Sequence, residues 1–277
     1  MTIAEKLKSL PTSAGIYIHK NAAGKIIYVG KAKNIRTRVN SHFSNNSQSR
    51  QKQNFLRHVY SISFKECATD LMACILESTE IKKLWPIFNY SQKRWEDTYG
   101  IFVYEDRNGY QRLAIEKNKK QLPAVCTFHY LTDGHTILRK LIRDFNLCPK
   151  LCFIQPDHAD CEGIKEAICY GACQQKEEPA KYNKRVEEAI QSLKDQPSFA
   201  IIENGLNDEE QSCVLVWKGQ FYGMGYIPND TQLTEPEDLK ELLTSYKENL
   251  FIRNLVNGYA AKYPNRVKSF QPVAANS

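Results

Sequence analysis

Hydrophobic and polar residues alternate in short blocks over the first hundred positions, as in a small mixed domain. Two runs of β-branched and aromatic residues, 15–18 and 25–29, flank the polar segment 21–24, which contains a glycine. This pattern predicts a β-hairpin. The same criteria predict a third strand at 60–66 and helices at 34–43, 52–59 and 69–84.

Beyond residue 98 the pattern changes twice more. Strand-type runs and one helix are predicted at 100–105, 111–117, 124–130 and 133–146. A cysteine-rich stretch and a helix at 179–195 follow, then strand-type alternation at 199–227, two helices, and a tail of ten residues expected to be loose. We therefore predict an α+β protein with three consecutive domains, 1–98, 99–195 and 196–277: a three-stranded antiparallel sheet with helices, a cysteine-rich metal-binding segment and a small α+β domain.

The composition is that of a folded globular chain, because 42% of the 277 residues are hydrophobic and 25% are charged. No apolar run approaches the roughly 18 residues that a membrane helix needs. The first residues also lack the apolar core of a signal peptide. We expect a cytoplasmic protein with no membrane partner.

Positive charge is concentrated in the first predicted domain. Residues 1–98 contain 16 Lys and Arg against 7 Asp and Glu, a net charge of +9, whereas the whole chain carries +7. A local excess of this size favours a polyanionic partner, with nucleic acid first among them. A solvated basic face without a partner is the alternative.

Five of the nine cysteines fall within one window of 26 residues: Cys148, Cys152, Cys161, Cys169 and Cys173. In a reducing compartment such a cluster favours metal binding over disulfides. Four thiolates suffice for a tetrahedral zinc ion or a [4Fe–4S] cluster, and the spacing does not choose between them. Five buried free thiols are the alternative, although core packing does not call for such clustering.

Two further positions are candidates for chemistry. Spacings of seven and four residues predict that Lys31, Arg38 and His42 form a cationic row facing open space, although a merely solvated helix face has the same pattern. Glu77 falls inside the apolar stripe of the predicted helix 69–84. A carboxylate on the buried side of a helix needs a basic partner or a metal ion, because an unpaired charge beside a core costs several kcal/mol.

These residues occur in an ordered, spaced pattern. Gly15-Ile16-Tyr17 is followed by Tyr28-Val29-Gly30, and then by the Leu76-Glu77 helix with Pro86 and Asn89 beyond it. The pattern resembles the GIY-YIG nuclease family, and the run YVGKAKNIRTR is similar to its UvrC and Cho members. The resemblance extends over roughly residues 10–190. It implies a metal-dependent DNA endonuclease with a small α/β nuclease domain at the N-terminus.

The resemblance also implies roles for individual residues. Glu77 would hold one Mg²⁺ or Mn²⁺ ion, and Arg38 would bind the scissile phosphate. Tyr17 and Tyr28 would position or deprotonate the attacking water, with Lys31 assisting. Asn89 would fasten the DNA strand, and further DNA contacts are expected from Lys33, Arg36, Lys93 and Arg94.

One position departs from the family pattern. His42 stands where tyrosine is common in UvrC-like sequences. An imidazole with an ordinary pKa near 6.5 accepts a proton at neutral pH more readily than a phenol near 10. We therefore hypothesise that His42 accepts a proton from water or from a neighbouring tyrosine. The general base is Tyr17, Tyr28 or His42, and His42 as a phosphate contact or a packed core residue is the alternative.

For the cysteines, the resemblance favours a [4Fe–4S] cluster with zinc as the alternative. Cys161, Cys169 and Cys173 align best, and the remaining ligand is Cys148 or Cys152. The expected function is a single-strand incision on the 3′ side of a lesion in nucleotide excision repair, on damaged double-stranded DNA with a UvrB-like partner. A nuclease for branched or foreign DNA and an inactive DNA-binding module are the alternatives.

Overall fold

The structure is a computed structural model that describes residues 7–43, 50–93, 97–118 and 123–270. Its secondary structure mixes helices with antiparallel sheets, so the predicted α+β class is confirmed. The described residues form two compact units. The first unit combines Met1–Trp95 with Pro197–Ser277, and the second comprises Glu96–Gln196.

The N-terminal part of the first unit contains the predicted hairpin. Strands β1 (Gly15–Lys20), β2 (Ile26–Ala32) and β3 (Ser61–Glu66) form an antiparallel sheet in the order β2-β1-β3. Its helices are α1 (Ile35–Phe43), α2 (Arg50–Arg57) and α3 (Asp70–Leu84). Helix α1 packs through Ile35 and Val39, which are fully buried. The short loops between these elements keep α1 and α3 beside the hairpin strands that precede them in sequence.

Helix α3 has defined ends. At its N-terminus the Thr69 hydroxyl accepts a hydrogen bond from the Met72 amide at 3.2 Å, which satisfies one of the free N–H groups of the first turn. At its C-terminus Trp85 adopts a left-handed conformation, and its amide donates to the Ile81 carbonyl. The buried face between these ends, which includes Leu71 and Ile75, is apolar.

The C-terminal part of the first unit covers that face. Its strands are β7 (Ser198–Asn204), β8 (Glu210–Trp217), β9 (Gln220–Pro228), β10 (Thr244–Ser245) and β11 (Val267–Phe270). They form a sheet in the order β10-β9-β8-β7-β11, and helices α7 (Pro236–Leu242) and α8 (Leu250–Lys262) accompany it. Strand β11 pairs with β7, so the tail predicted to be loose is ordered as far as Phe270. Residues 271–277 lie outside the described residues.

One apolar core joins the two parts of this unit. It contains Leu71 and Ile75 from α3 together with Val214 from β8 and Ile252 from α8. The sequence predicts separate domains for residues 1–98 and 196–277, whereas the structure places both in one unit. The physical reason is that α3 is apolar on the side turned away from β1 and β2 as well, and the C-terminal sheet and α8 bury that second side.

The second unit has its own sheet and core. Strands β4 (Tyr99–Glu105), β5 (Gln111–Lys117) and β6 (Cys126–Phe128) form an antiparallel sheet in the order β5-β4-β6. Helices α4 (Leu131–Asp144), α5 (Glu162–Lys165) and α6 (Pro179–Lys194) accompany it. Leu113, Leu138 and Tyr182 are buried in a core that also contains four of the clustered cysteines. In the described part of the chain, no helix is both long and apolar enough to cross a bilayer.

Candidate active site and thiol cluster

Two tyrosines of the hairpin share one pocket. Tyr17 on β1 and Tyr28 on β2 have ring centroids 5.9 Å apart. Tyr17 lies opposite Gly30 in the strand register. A Cβ atom on Gly30 would lie 2.5 Å from the ring and the hydroxyl of Tyr17. Only glycine therefore leaves room for the phenol at this point.

His42 contacts this pair from the last turn of α1. Its Nε2 atom lies 3.1 Å from the Tyr17 hydroxyl, and the residue is only 8% exposed. The predicted cationic row facing open space is therefore wrong in two respects. Helix α1 begins at Ile35, so Lys31 belongs to β2, and His42 points inward to the phenol. Of the three, only Arg38 is exposed.

Burial determines the protonation of the two phenols. It raises the pKa of Tyr17 and of Tyr28 above the ordinary value, and the nearby Tyr28 raises the pKa of Tyr17 further. Arg38 hydrogen-bonds Tyr17, and its positive charge lowers the pKa of both phenols without cancelling the effect of burial. Both hydroxyls are therefore protonated at neutral pH, and neither phenol is a ready proton acceptor.

Glu77 lies in the middle of α3 and is half-buried. Its Oε1 atom accepts a hydrogen bond from the Lys31 backbone amide at 2.9 Å. Burial raises the pKa of this carboxyl, and the Lys31 amide and charge, the Gln92 side chain and the Arg38 charge partly offset that effect. The sequence analysis expects a basic side chain or a metal ion as the partner of Glu77. In the structure the carboxylate accepts a hydrogen bond from a backbone N–H group.

Arg38 and Glu77 face the same site without being locked together. Each charge affects the pKa of the other group. Among the residues that the structure describes, however, the two side chains form no direct ion pair. An exposed guanidinium and a half-buried carboxylate in this arrangement can act on one ligand from different directions.

Lys31 has a partner that sequence reasoning missed. Its ammonium group donates to both carboxylate oxygens of Asp70, at 2.8 and 3.0 Å. Burial lowers the pKa of Lys31, but hydrogen bonds and charges from Asp70 and Cys74 outweigh it, so that the pKa is raised. A signal was present, because Asp70 precedes Glu77 by seven residues and helical spacing places both on one face.

Asn89 is engaged with the edge strand of the sheet. Its Nδ2 atom donates to the Val29 carbonyl at 2.7 Å, and its Oδ1 atom accepts from the Val29 amide at 2.9 Å. The amide side chain thereby takes the place of a neighbouring strand next to β2. Gln92, three residues further on, hydrogen-bonds Glu77. No pattern in the sequence indicates the contact between Gln92 and Glu77, because this contact depends on the path of the loop after α3.

The predicted DNA-contacting residues have different surroundings. Lys33 is exposed. Arg36 donates from Nε to the Leu10 carbonyl at 2.6 Å and so ties α1 to the segment before β1. The Lys93 ammonium lies 5.8 Å from the centroid of the Trp85 ring. Arg94 lies outside the described residues.

A second histidine, which the sequence did not single out, lies beside the tyrosine pocket. His19 is fully buried, at 0% exposure, and neither ring nitrogen has a hydrogen-bond partner among the residues that the structure describes. Its ring centroid lies 5.5 Å from that of Tyr17, 6.0 Å from that of His42 and 5.2 Å from that of Phe55. Burial, followed by the charge of His42, lowers the pKa of His19 to about 3.

In the second unit, four of the five clustered cysteines converge. The sulfur atoms of Cys148, Cys161, Cys169 and Cys173 all lie within 4.8 Å of one another, and those of Cys148 and Cys161 are 4.0 Å apart. The Gly171 amide donates to the Cys169 sulfur at 3.3 Å. The first three thiols are buried, so a cation would allow them to ionise together.

Cys152 lies outside this group of four. It is buried, and burial raises its pKa to about 12, with the Tyr182 hydroxyl and the Leu113 backbone opposing that effect. Its amide donates to the Cys148 carbonyl at 3.0 Å, which fixes the turn that carries Cys148. The sequence leaves open whether Cys148 or Cys152 is the fourth thiol of the group. In the structure it is Cys148 that lies with Cys161, Cys169 and Cys173.

The sheet, the paired tyrosines and the α3 carboxylate define a domain of the GIY-YIG class. Residues 13–90 match the UvrC-like GIY-YIG domain, and residues 99–192 match the middle domain of the UvrC/Cho excinucleases. The chain belongs to the UvrC/Cho family, and the resemblance inferred from its motifs is confirmed.

Curated relatives agree with this family, and the chain is also similar in sequence to one solved domain. A UvrABC system protein C from Chlorobium chlorochromatii is 32% identical over 72% of this chain and 33% of the relative. Another, from Fusobacterium nucleatum, is 32% identical over 86% of this chain and 42% of the relative. The chain thus spans a third to two fifths of the length of these relatives. The magnesium-bound GIY-YIG N-terminal endonuclease domain of Thermotoga maritima UvrC is 32% identical. The match covers 31% of this chain and 94% of that domain, with a TM-score of 0.29.

The buried His19 makes a prediction about stability in acid. In the unfolded chain its pKa is ordinary, near 6.5, whereas in the folded protein it is about 3. Between these values the unfolded state binds the proton, so stability is lost as the pH falls. From pH 7 to pH 5 we expect this residue to account for about 2 kcal/mol of the lost unfolding free energy.

Urea denaturation at both pH values measures this effect. The variant His19→Leu should lose about 2 kcal/mol less than the wild type between pH 7 and pH 5. The matched control is His135→Leu, since His135 is exposed to solvent. Equal acid sensitivity of wild type and His19→Leu would show that the buried imidazole does not control it.

Proposed function

We propose that the first unit hydrolyses a DNA phosphodiester with the help of a divalent cation bound by Glu77. The observation that carries this proposal is the relation of Glu77 to Arg38: a half-buried carboxylate and an exposed guanidinium act on one site and form no direct ion pair within the described residues. The carboxylate can hold a metal ion and the guanidinium a phosphate, so the two charges together suit one sugar–phosphate strand with its ion.

The donor set suits Mg²⁺ or Mn²⁺. A single carboxylate that is only partly buried is typical of a site for a hard cation that keeps most of its water ligands. Burial has raised the pKa of Glu77, and a bound cation would remove that cost. When bound, the ion supplies an activated water and neutralises charge on the phosphate oxygens.

The surrounding side chains hold and orient the strand. Arg38 binds the scissile phosphate with its planar guanidinium, which matches two phosphate oxygens at once. The Lys31 amide fixes the orientation of the Glu77 carboxylate through the 2.9 Å hydrogen bond. Asn89 keeps β2 in place through both of its contacts with Val29, so we assign it to positioning Tyr28 and Gly30 rather than to gripping DNA.

A proton path leads away from the attacking water through Tyr17 to His42. Because both phenols are protonated at neutral pH, a base must receive the proton beyond them. His42 Nε2 lies 3.1 Å from the Tyr17 hydroxyl, which donates to it when the imidazole carries its proton on Nδ1. Tyr17 is itself fully buried and hydrogen-bonds the half-buried Tyr28, so a proton that Tyr28 takes from water can pass through Tyr17 to His42. Of the three candidate bases we therefore favour His42.

The four-cysteine group is proposed as a structural metal centre. A tetrahedral zinc ion with bonds of about 2.3 Å needs sulfur atoms about 3.8 Å apart, close to the 4.0 Å between Cys148 and Cys161. A [4Fe–4S] cluster, which the family resemblance favours, would require the thiols to spread around four irons. We retain [4Fe–4S] as the proposal and zinc as the alternative.

The family supports a proposal for the biological role. The relatives are named as components of the UvrABC system. We propose that this chain makes a single-strand incision on the 3′ side of a lesion during nucleotide excision repair in the cytoplasm. Damaged double-stranded DNA and a UvrB-like damage-recognition protein are the proposed partners, and Lys33, Lys93 and Arg94 contribute phosphate contacts.

Removing the charge of Glu77 tests the hydrolytic function. The variant Glu77→Gln keeps the shape and the acceptor for the Lys31 amide but cannot hold the cation. We expect nicking of supercoiled plasmid with Mg²⁺ or Mn²⁺ to fall at least about 100-fold. Gel quantification of the nicked circle measures the rate.

Glu80→Gln is the matched control. Glu80 lies on the same helix but pairs with Lys65 at 2.9 Å, so its loss should leave nicking intact. Equal nicking by wild type and Glu77→Gln would contradict the proposal. On a duplex with a bulky adduct, incision that depends on added damage-recognition proteins supports the repair role, whereas cleavage of branched DNA without them supports the alternative nuclease.

The pH dependence of nicking tests His42. In the wild type the rate should rise with pH over the titration range of an imidazole. In His42→Tyr the proton acceptor is a phenol, so the rate at pH 7 should fall about 10- to 100-fold and recover toward higher pH. A full rate with an unchanged pH profile in His42→Tyr would remove His42 from the proton path.

The colour and metal content of the purified protein test the thiol centre. A [4Fe–4S] cluster gives a brown protein whose visible absorbance bleaches on reduction, and Cys148→Ser should abolish the colour. Cys152→Ser is the matched control, since its sulfur is not among the four, and should retain the metal. A colourless protein with one zinc ion would contradict the iron–sulfur proposal.

A further inference from the structure

The segment after α3 presents large apolar side chains to solvent. Trp85, Ile87 and Tyr90 are 41%, 63% and 76% exposed, while Pro86 and Asn89 between them are buried. We call the exposed rings of Trp85 and Tyr90 the aromatic platform, and Ile87 lies between them in the sequence. Because they contribute little to the core, the fold itself does not account for them, and exposed apolar groups of this kind mark interaction sites.

The buried side of this segment fixes the platform in place. The Phe88 amide donates to the Ile27 carbonyl at 3.0 Å, and the Phe88 ring lies 5.3 Å from that of Phe55. Asn89 makes its two hydrogen bonds to Val29 in the same strand. The backbone that carries the platform is therefore attached to β2 at Phe88 and Asn89, which lowers the entropic cost of binding by the neighbouring Tyr90 and Trp85.

Trp85 also has a strained backbone. Its φ and ψ angles are 50° and 51°, at the end of α3, where glycine is the usual residue. A bulky side chain with positive φ is uncommon because the Cβ atom crowds the backbone. Such strain at an exposed position is typical of a site that serves binding rather than stability.

The platform borders the proposed hydrolytic site. Trp85 is the residue directly after α3 and follows Glu77 by eight residues, which is about 12 Å along the helix axis, or three to four stacked nucleotides of about 3.4 Å each. On the other side, Gln92 hydrogen-bonds Glu77 only two residues after Tyr90. Trp85 and Tyr90 therefore lie within reach of nucleotides a few positions away from a phosphate at Glu77.

The charge of the segment matches a nucleic acid. Between residues 81 and 95 the sequence has four basic residues and no acidic one: Lys82, Lys83, Lys93 and Arg94 are the basic residues. The Lys93 ammonium lies 5.8 Å from the Trp85 ring centroid, which places a cation beside the aromatic face. Basic groups interleaved with exposed aromatics are typical of surfaces that bind single strands, where bases stack on the rings and phosphates contact the cations.

We propose that Trp85 and Tyr90 stack against unpaired nucleobases that flank the phosphodiester held at Glu77. This inference rests on the proposed function and adds its substrate class: DNA with unpaired nucleotides beside the incised bond. In a fully paired duplex the faces of the bases are stacked on each other and are not accessible to these rings. The platform therefore favours locally opened DNA, while the basic residues bind both forms through their phosphates.

Binding without cleavage tests the platform. The full chain is titrated, with Ca²⁺ in place of Mg²⁺, into a fluorescent duplex containing a short unpaired bubble and into the same duplex fully paired. Trp85→Ala and Tyr90→Ala should each weaken binding to the bubble about 5- to 100-fold. Binding to the paired duplex should change by no more than about twofold, because the phosphate contacts remain.

Conservative variants distinguish stacking from apolar contact. Tyr90→Phe should bind the bubble like the wild type, whereas Tyr90→Leu should bind it like Tyr90→Ala. A 2-aminopurine base in the bubble should lose fluorescence on binding to the wild type and not to Tyr90→Ala. Tyr130→Ala is the matched control, since Tyr130 is 55% exposed in the other unit.

Three outcomes would overturn the inference. One is an equal loss of affinity on bubble and paired duplex, and another is wild-type binding by Tyr90→Leu. The third is a dominant effect of Ile87→Ala, which would indicate an apolar protein partner. The result is separable from the proposed hydrolysis, because plasmid nicking by wild type and Glu77→Gln is measured independently of the platform.

Discussion

The half-buried carboxylate of Glu77 is the constraint on which the site depends. Helix α3 must be apolar enough to be anchored in the core, whereas the proposed function requires that the charge of Glu77 remain available to a cation. The 2.9 Å hydrogen bond from the Lys31 amide resolves this conflict, since a neutral donor compensates for burial without cancelling the charge. Lys31 meanwhile directs its ammonium group to Asp70, so no basic side chain closes onto Glu77 from β2.

The rest of the pocket depends on close packing around the hairpin. Gly30 makes room for the Tyr17 phenol, and Asn89 holds the same strand at Val29. These contacts bring the Tyr17 hydroxyl to His42, which would be a solvent-facing imidazole if α1 were rotated. A rigid scaffold of this kind favours catalysis, because the reacting groups need little reorganisation when the substrate binds. The attached segment after Trp85 extends that rigidity to the aromatic platform.

Local patterns in the sequence sufficed for much of the fold. The hairpin, α1, α3 and the β7–β9 sheet follow from apolar periodicity and turn residues, because these determine local structure directly. Pairing between distant segments does not leave such a signal. The burial of α3 against Ile252, the pairing of β11 with β7 and the exclusion of Cys152 from the thiol group all depend on contacts between residues far apart in sequence.

The sequence alone determined the family, the α+β class and the identity of the residues that carry charge and sulfur, because spaced motifs and residue chemistry are properties of the chain itself. Tertiary structure alone decided which of them meet. It turned His42 inward, paired Lys31 with Asp70, buried the ring of His19 and joined Asn89 to Val29 by hydrogen bonds. The physical reason is that burial and hydrogen bonding depend on the surroundings of a side chain, which form only when distant segments pack together.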